Sequence, residues 1–354
     1  MPPIKSRAMR SRLKNILSPA ELRARLAAET ESRVTFSFYR YVHITEPAAF
    51  RDECYVAWDE LLVFGRVYVA KEGVNGQVSV PQSKFEAYRA ALDRVPALRA
   101  MRLNLAIEAK AGSFLKLKIK VRDKIVADGL NDASFDVTKR GRHLSAPEVN
   151  QLLDEEGTIV VDMRNHYESE VGYFEGAIRP DFTYFRDLLP AVEEMLADKK
   201  EANIVMYCTG GIRCEKASAY YLHRGFPNVA MVDGGIIDYA RQCEELELES
   251  KYIGKNFVFD ERLGERISDH VVSHCHQCGT PADRQIDCTN GPCHTLIVQC
   301  EACAATFDNC CSQECYDFKQ LPPEDRERLK ATKIFNGQRY GKAMRAGVVN
   351  KGLS

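Results

Sequence analysis

No apolar run in this sequence approaches the length of a membrane-spanning helix, which takes about 20 consecutive apolar residues. A helix-bundle channel or carrier is therefore excluded, and no membrane partner is expected. The basic start has no apolar core of the kind a secretory signal needs, so a cytoplasmic protein is expected. Neither a flavin nor a nucleotide motif is present. Net charge is almost absent as well, with 49 Lys and Arg against 50 Asp and Glu. Cysteine is sparse along most of the chain, because nine of the 13 crowd into residues 275–315. That crowding points to metal binding in a reducing compartment and away from a disulfide framework spread through a small fold.

What remains is ordinary globular composition, 45% apolar and 28% charged over 354 residues, enough for two or three domains. The near-zero net charge hides segregation. Residues 1–40 carry nine Lys and Arg against three acids, residues 110–124 carry six against one, and the tail after Asp325 carries eight against Glu327 alone. The section from Glu148 to Glu201 is acidic. Such segregation suits a polyanionic partner, nucleic acid first, although each basic run taken singly could simply solvate a face.

In chain order, a basic segment (1–32) precedes a domain over 33–127. Ser18, Pro19 and Glu21 mark the start of a helix. Strand and helix patterns then follow in the order β-α-β-β-α-β: a strand at 34–42, a helix at 47–62, strands at 64–70 and 76–80 joined by Lys71–Gly76, a helix at 83–92 and a strand at 102–107. This is a ferredoxin-like α+β unit. A further strand, Phe114–Val126, alternates apolar residues with Lys116, Lys118 and Lys120, which share one face. Those lysines suit an RNA backbone, and they equally suit an edge strand guarded against aggregation. In the leading segment Arg7, Arg10 and Arg12 add to the basic surface. The stretch 128–143 reads as a linker. Alternating strands and helices over 144–248 predict a parallel α/β domain. A connector and cysteine-rich module (249–317) and a basic tail (318–354) complete the chain.

The α/β domain is organised around residues 204–219. The buried strand Ile204–Tyr207 ends at Cys208, Gly210 and Gly211 follow, and a helix begins near Cys214. A cysteine where a tight loop meets a helix N-terminus faces converging N–H groups and the positive helix pole, and Arg213 adds a fixed charge. Those surroundings stabilise the thiolate and make it a nucleophile. Cys208, Arg213 and Cys214 are the candidate catalytic residues. Gly210 and Gly211 let the backbone close on the substrate. The loop resembles the active-site loop of rhodanese domains, where C-x4-R wraps a persulfide-bearing cysteine. Related phosphatases use a loop one residue longer, so the shorter spacing here favours chemistry at sulfur or carbon. The resemblance covers 144–248 and includes Val161–Arg164, Tyr167–Glu168, Gly172–Ala177 and Asp233–Gly235. It departs at Tyr173, where a histidine is usual. Asp162 and Arg164 read as a strand-end ion pair before they read as catalytic.

In the last module, Cys275-x2-Cys278 and Cys300-x2-Cys303 have the spacing of two knuckles that hold one zinc ion through four thiolates, as in zinc ribbons. Cys311 and Cys315, one helical turn apart, close a second site with Cys288 and Cys293, with Cys310 the alternative to Cys311. His274, His276 and His294 are replacement ligands. All-thiolate sites leave no open position, so two structural zinc ions are expected; a redox-active thiol reservoir is the other reading.

Taken whole, the sequence resembles the bacterial rhodanese-domain tRNA uridine hydroxylases. The resemblance rests on FSFYRYVHI (36–44), KEGVNGQVSV (71–80), KVRDKIVADG (120–129), YCTGGIRCEKAS (207–218), GKNFVFDER (254–262) and the HCHQC…CC cluster. It implies oxygen-dependent hydroxylation of the wobble uridine of certain tRNAs, with molecular oxygen as co-substrate. Thiolate addition to C6 of uracil would make C5 nucleophilic toward dioxygen. Two electrons would then come from Cys208 and Cys214 forming a disulfide, or from a Cys208 persulfide. A plain sulfurtransferase acting through a Cys208 persulfide is the alternative. A third reading is a non-catalytic RNA-binding scaffold, against which the intact Cys208 and Arg213 stand.

Overall fold

The first helix begins where Ser18 and Glu21 satisfy each other. The Ser18 hydroxyl accepts the Glu21 N–H at 3.3 Å and the Glu21 carboxylate accepts the Ser18 N–H at 2.7 Å, a reciprocal cap on α1 (Pro19–Ala27). The structure is a computed structural model that describes residues 13, 15, 17–107, 113–132, 134–330, 333 and 335. Arg7, Arg10, Arg12 and most of the basic tail lie outside the described residues.

Five strands follow in the first domain: β1 (Arg33–Tyr41), β2 (Phe64–Ala70), β3 (Gly73–Pro81), β4 (Asn104–Leu105) and β5 (Leu117–Val121), with helices α2 (Pro47–Glu60) and α3 (Phe85–Asp93) between them. The order is β4-β1-β3-β2-β5. Pairing is antiparallel within the first four, and β5 joins the β2 edge in parallel. This is the expected ferredoxin-like sheet with one strand added. Period-two alternation sorts its faces. Phe36, Phe38, Val67 and Val69 pack with Trp58 of α2 and Tyr88 of α3 in one core. Ser37, Tyr39, Arg66, Tyr68, Asn75 and Gln77 alternate with those residues or pair across the sheet beside them, and so occupy the opposite face.

The connector expected at Lys71–Gly76 is shorter. β3 already starts at Gly73, with Val74 fully buried and paired to Val69. Gly73 has φ +147°, and a Cβ there would lie 2.0 Å from the Arg40 carbonyl oxygen. Glycine is what lets the hairpin close against β1. The two flanking strands are also shorter than their sequence patterns: 104–105 in place of 102–107, and 117–121 in place of 114–126.

The second domain holds β6 (Arg142–Leu144), α4 (Ala146–Asp154), β7 (Ile159–Asp162), α5 (His166–Ser169), β8 (Gly172–Phe174), α6 (Phe185–Met195), β9 (Ile204–Tyr207), α7 (Ile212–His223), β10 (Val229–Val232) and α8 (Gly235–Glu245). Its four-stranded sheet runs β6-β10-β9-β7, all parallel. The strand β6 already begins within the stretch read as linker. Asp128, in that same stretch, is only 1% exposed, because it meets Lys216 of α7.

β8 leaves that sheet and pairs with β11 (Tyr252–Phe257), which also pairs β12 (Gly264–Arg266). Beyond them lie the hairpin β13 (Gln285–Asp287) and β14 (Leu296–Val298) and helices α9 (Glu301–Phe307), α10 (Gln313–Gln320) and α11 (Pro323–Lys330). No helix among the described residues is long and apolar enough to cross a membrane.

Candidate active site

β9 is buried along its whole length and delivers Cys208 to the carboxyl edge of the parallel sheet, the place where open α/β sheets carry their sites. Gly211 caps α7 with φ 93°, a left-handed conformation that glycine adopts without penalty. Its N–H donates to the Cys208 sulfur at 3.2 Å. The start of α8 fixes the loop from the other side, as the Ile236 N–H reaches the Cys208 carbonyl at 3.0 Å and the Ile237 N–H reaches the Thr209 carbonyl at 3.2 Å.

Cys208 is fully buried, and burial by itself would raise its pKa. The Cys214 thiol, the Arg213 charge and the N–H groups of Cys214 and Arg213 outweigh burial and bring the Cys208 thiol down to about 6. Cys214 moves the opposite way. Burial first, then the neighbouring Cys208, hold it well above its ordinary value. The pair therefore consists of one thiolate and one thiol in contact across the loop, with no disulfide between them.

Arg213 is held by Glu168 of α5. The two guanidinium nitrogens donate to the two carboxylate oxygens at 2.5 and 2.8 Å, and Thr209 bonds to both partners. The sequence reading gave Glu168 and Thr209 no role. Glu168 is 45 positions from Arg213, and no local pattern announces a pair at that distance. Asp162 and Arg164, by contrast, are a structural pair as expected. Arg164 forks onto Asp162 at 2.6–3.1 Å and continues to the Gly172 carbonyl and the Tyr252 hydroxyl, fastening β8 and β11 to β7. Tyr173 lies under Arg179, 3.7 Å from guanidinium carbon to ring centre.

A cavity of about 430 Å³ lies above the loop. Cys208, Thr209, Gly210 and Arg213 form its floor, and Phe259 lies in a wall. Its roof is the polar face of the first domain's sheet, with Tyr39, Arg66, Tyr68, Asn75 and Gln77 among the lining residues. The two domains are joined around this space. Asn104 Nδ2 donates to the Gly210 carbonyl at 3.4 Å, Tyr41 to the Ile212 carbonyl at 3.3 Å and Tyr39 to Glu215 at 3.1 Å. Lys216 of the active-site helix, 1% exposed, bonds Glu72 of the β2–β3 turn at 2.9 Å and also Asp128.

The lysines of β5 stand beside this roof. Lys118 pairs with Arg66 and Lys120 with Tyr68, so Lys118 and Lys120 fall on the cavity side of the sheet, and Lys116 leads into β5. Lys118 is lowered by partial burial and by the like charges of Lys120, Arg66 and Lys116. β5 is also the sheet edge, a position where lysines discourage pairing with another strand.

The cysteine-rich module brings its thiols together in two groups. Cys275, Cys278, Cys300 and Cys303 form one, and Cys288, Cys293, Cys311 and Cys315 the other, all sulfurs within 4.8 Å of one another in each. The separations 278–300, 293–311 and 311–315 are 3.6, 3.7 and 3.6 Å. Thiolates around a tetrahedral zinc, at about 2.3 Å each, stand roughly 3.8 Å apart. Both groups can hold a metal ion, and the donor set fits zinc. Cys310 stays outside, with its sulfur 3.4 Å from the Thr289 hydroxyl. Among the candidate histidines, His276 bonds Glu170 at 2.6 Å, outside both groups. The module also leans on the active-site segment: Gln285 donates to the Tyr167 carbonyl at 2.9 Å, and Val171 packs with Cys275 and Cys303.

Three family models match in succession: the UPF0176 acylphosphatase like domain over 33–125, the rhodanese-like domain over 145–242 and the rhodanase C-terminal region over 253–316. A solved thiosulfate sulfurtransferase from Pseudomonas aeruginosa matches at 25% identity and TM-score 0.26, covering 31% of this chain and 20% of that one, an overlap too small to bear on the chemistry. Full-length relatives are much nearer. A protein of Photorhabdus laumondii named tRNA uridine(34) hydroxylase is 53% identical over 334 residues, 93% of this chain and 95% of its own. One of the same name from Yersinia pestis is 54% identical over 330 residues, 92% and 93% of the two chains. Identity at that level across all three domains shows that the chain belongs to the tRNA uridine(34) hydroxylase family.

Proposed function

We propose that this chain hydroxylates C5 of the wobble uridine of tRNA in the cytoplasm, with Cys208 as nucleophile, dioxygen as co-substrate and zinc at both cysteine clusters. The observation that carries the reading is a thiol held at about 6 on the floor of a cavity roofed by a separate polar, cation-edged sheet. A volume of about 430 Å³ lies within the range of small-ligand sites, roughly 300–1,000 Å³. It suits one extruded base, with Tyr39, Tyr68 and Phe259 as stacking faces and Asn75 and Gln77 as amides for the uracil edge. The names of the relatives support the substrate.

The chemistry balances on this chain's own sulfurs. The Cys208 thiolate adds to C6, and the resulting enolate takes up dioxygen at C5 as a hydroperoxide. Forming the C6 adduct removes the negative charge that helps hold Cys214 protonated. Cys214 then attacks the distal oxygen, leaving a C5 hydroxyl and a sulfenic acid. Loss of the C5 proton expels Cys208, which condenses with the sulfenic acid to release water and form a disulfide. Two electrons come from the two thiols, and an external thiol restores them.

A persulfide route has one specific support, since the Gly211 N–H aimed at the Cys208 sulfur would also cradle a terminal sulfur atom. Nucleoside mass spectrometry tests the hydroxylase reading. In a deletion strain, wild-type protein should restore 5-hydroxyuridine and its derivatives, and Cys208→Ala should not. Restoration by that variant would overturn the reading, and a sulfur-dependent change without oxygen incorporation would replace it with the sulfurtransferase.

A further inference from the structure

A second cavity of about 390 Å³ adjoins the first, with Tyr39 and Asn104 lining both. Its wall brings together Arg40, Arg102, Arg140 and His143. These cations come from β1, the segment before β4, and the segment that leads into and includes β6, so only the docking of the two domains assembles them. We infer that this cavity receives the phosphodiester that joins the target uridine to its neighbour in the RNA, an inference that rests on the function proposed above.

The charges inside the cavity say which groups would meet the anion. Arg102 is committed to Asp233 and Asp238, at 2.7 Å to each. The Glu215 side chain is 6% exposed, and its carboxylate is surrounded by the Tyr39 hydroxyl at 3.1 Å, His143 at 3.0 Å and Arg140 at 2.9 Å. Two cations thus face one carboxylate there whenever His143 is protonated, and Glu215 favours that state. Arg40 donates only to carbonyl oxygens, those of Ala97, Arg99 and Ala100 at 3.4, 2.7 and 2.9 Å, so its charge has no carboxylate partner among those contacts. Arg40 and Arg140 both line this cavity, and with Arg140 shared by Glu215 they are the two guanidinium groups that would meet the phosphate. A guanidinium suits that ligand because its N–H groups match phosphate oxygens in a fixed fork. The wall shared through Tyr39 and Asn104 supplies the register. A base stacked in the first cavity keeps its backbone at the common rim, and the next linkage falls to the second.

The test uses the full-length protein and a fluorescent anticodon stem-loop RNA with one uridine at the wobble position. The phosphate on its 5′ or its 3′ side is replaced by an uncharged methylphosphonate. For the wild type, one of the two replacements should weaken binding by about tenfold, the scale of one charge-assisted contact. Arg140→Gln and Arg40→Gln should each weaken binding of the unmodified RNA by a similar factor, and the same neutral linkage should cost those variants little more. The slope of log affinity against log salt should fall by roughly 0.7 for the lost contact. The linkage effect in wild-type protein needs no variant, so poor folding of Arg40→Gln would leave the test intact. If variant and linkage effects simply add, or neither linkage matters, the inference is overturned. Calorimetry with inorganic phosphate alone covers the remaining source: phosphate bound by wild type but not by Arg140→Gln, with no linkage effect, would make this a free-phosphate site and would also overturn it. Coupled binding without any hydroxylation would remove the proposed function and keep the subsite. Hydroxylation without coupling would do the reverse.

Discussion

Arg213 and Glu168, 45 positions apart in sequence, meet in a two-pronged ion pair at 2.5 and 2.8 Å beside the Cys208 loop. Glu168 is fully buried and the Arg213 side chain is 10% exposed. The pair fixes the cation that helps hold the Cys208 thiolate, and it connects the loop to α5, on which the cysteine-rich module rests.

Glu168→Gln should therefore cost more than a surface change. It leaves a buried guanidinium without its counter-charge, a loss of about 3–5 kcal/mol. Urea unfolding measures this directly. A shift below 1 kcal/mol would show that Arg213 finds another partner.

The Cys208 thiol should react with iodoacetamide half-maximally near pH 6, since its pKa lies at about 6 against an ordinary 9.0. A depressed acid group stabilises the fold fully above its unfolded pKa, and that contribution is lost as pH falls through the folded value. The melting-temperature gap between wild type and Cys208→Ser should thus open from pH 6 to pH 9. A gap independent of pH over that window would contradict the depressed pKa.

Cys214→Ser separates the electron source from the nucleophile. The variant should add to uracil but stall after at most one turnover, because a serine hydroxyl can still donate to the Cys208 sulfur but cannot reduce the hydroperoxide. Oxygen uptake and product counted per enzyme decide the point. Full multiple turnover would remove Cys214 as the reductant.

Elemental analysis of protein purified without chelator should find two zinc ions per chain, one for each four-thiol group. Cys275→Ser and Cys311→Ser should each lose one ion and locally unfold the module, because metal binding and folding are coupled there. Cys310→Ser should keep both. A folded, metal-free wild type would refute the assignment.

Neutralising Lys116, Lys118 and Lys120 together should flatten the salt dependence of tRNA binding and raise KM with little change in kcat. Each lost single-strand phosphate contact lowers the slope by roughly 0.7. An unchanged slope would leave these lysines as edge protection alone.

Much of this was legible in the sequence, because it is written in local pattern. The period-two alternation of β1 to β3, the Cys208–Arg213 loop between a buried strand and a helix, and the CxxC knuckles are all short-range features that fix geometry within a few residues. Spacing also offered Cys288, Cys293, Cys311 and Cys315 as a group with Cys310 the alternative to Cys311, and the tertiary structure leaves Cys310 outside. Tertiary structure decided what depends on distant parts of the chain meeting. It placed Glu168 on Arg213, put Lys216 between Glu72 and Asp128, and turned the polar face of the first sheet into the roof over Cys208. It also bound Asp128 to the active-site helix, since a buried Lys216 requires a carboxylate beside it. Sequence periodicity can say which face of a strand is polar. Only the docking of two domains says what that face looks upon, because the contact energy that selects the docking is spread over residues with no fixed spacing between them.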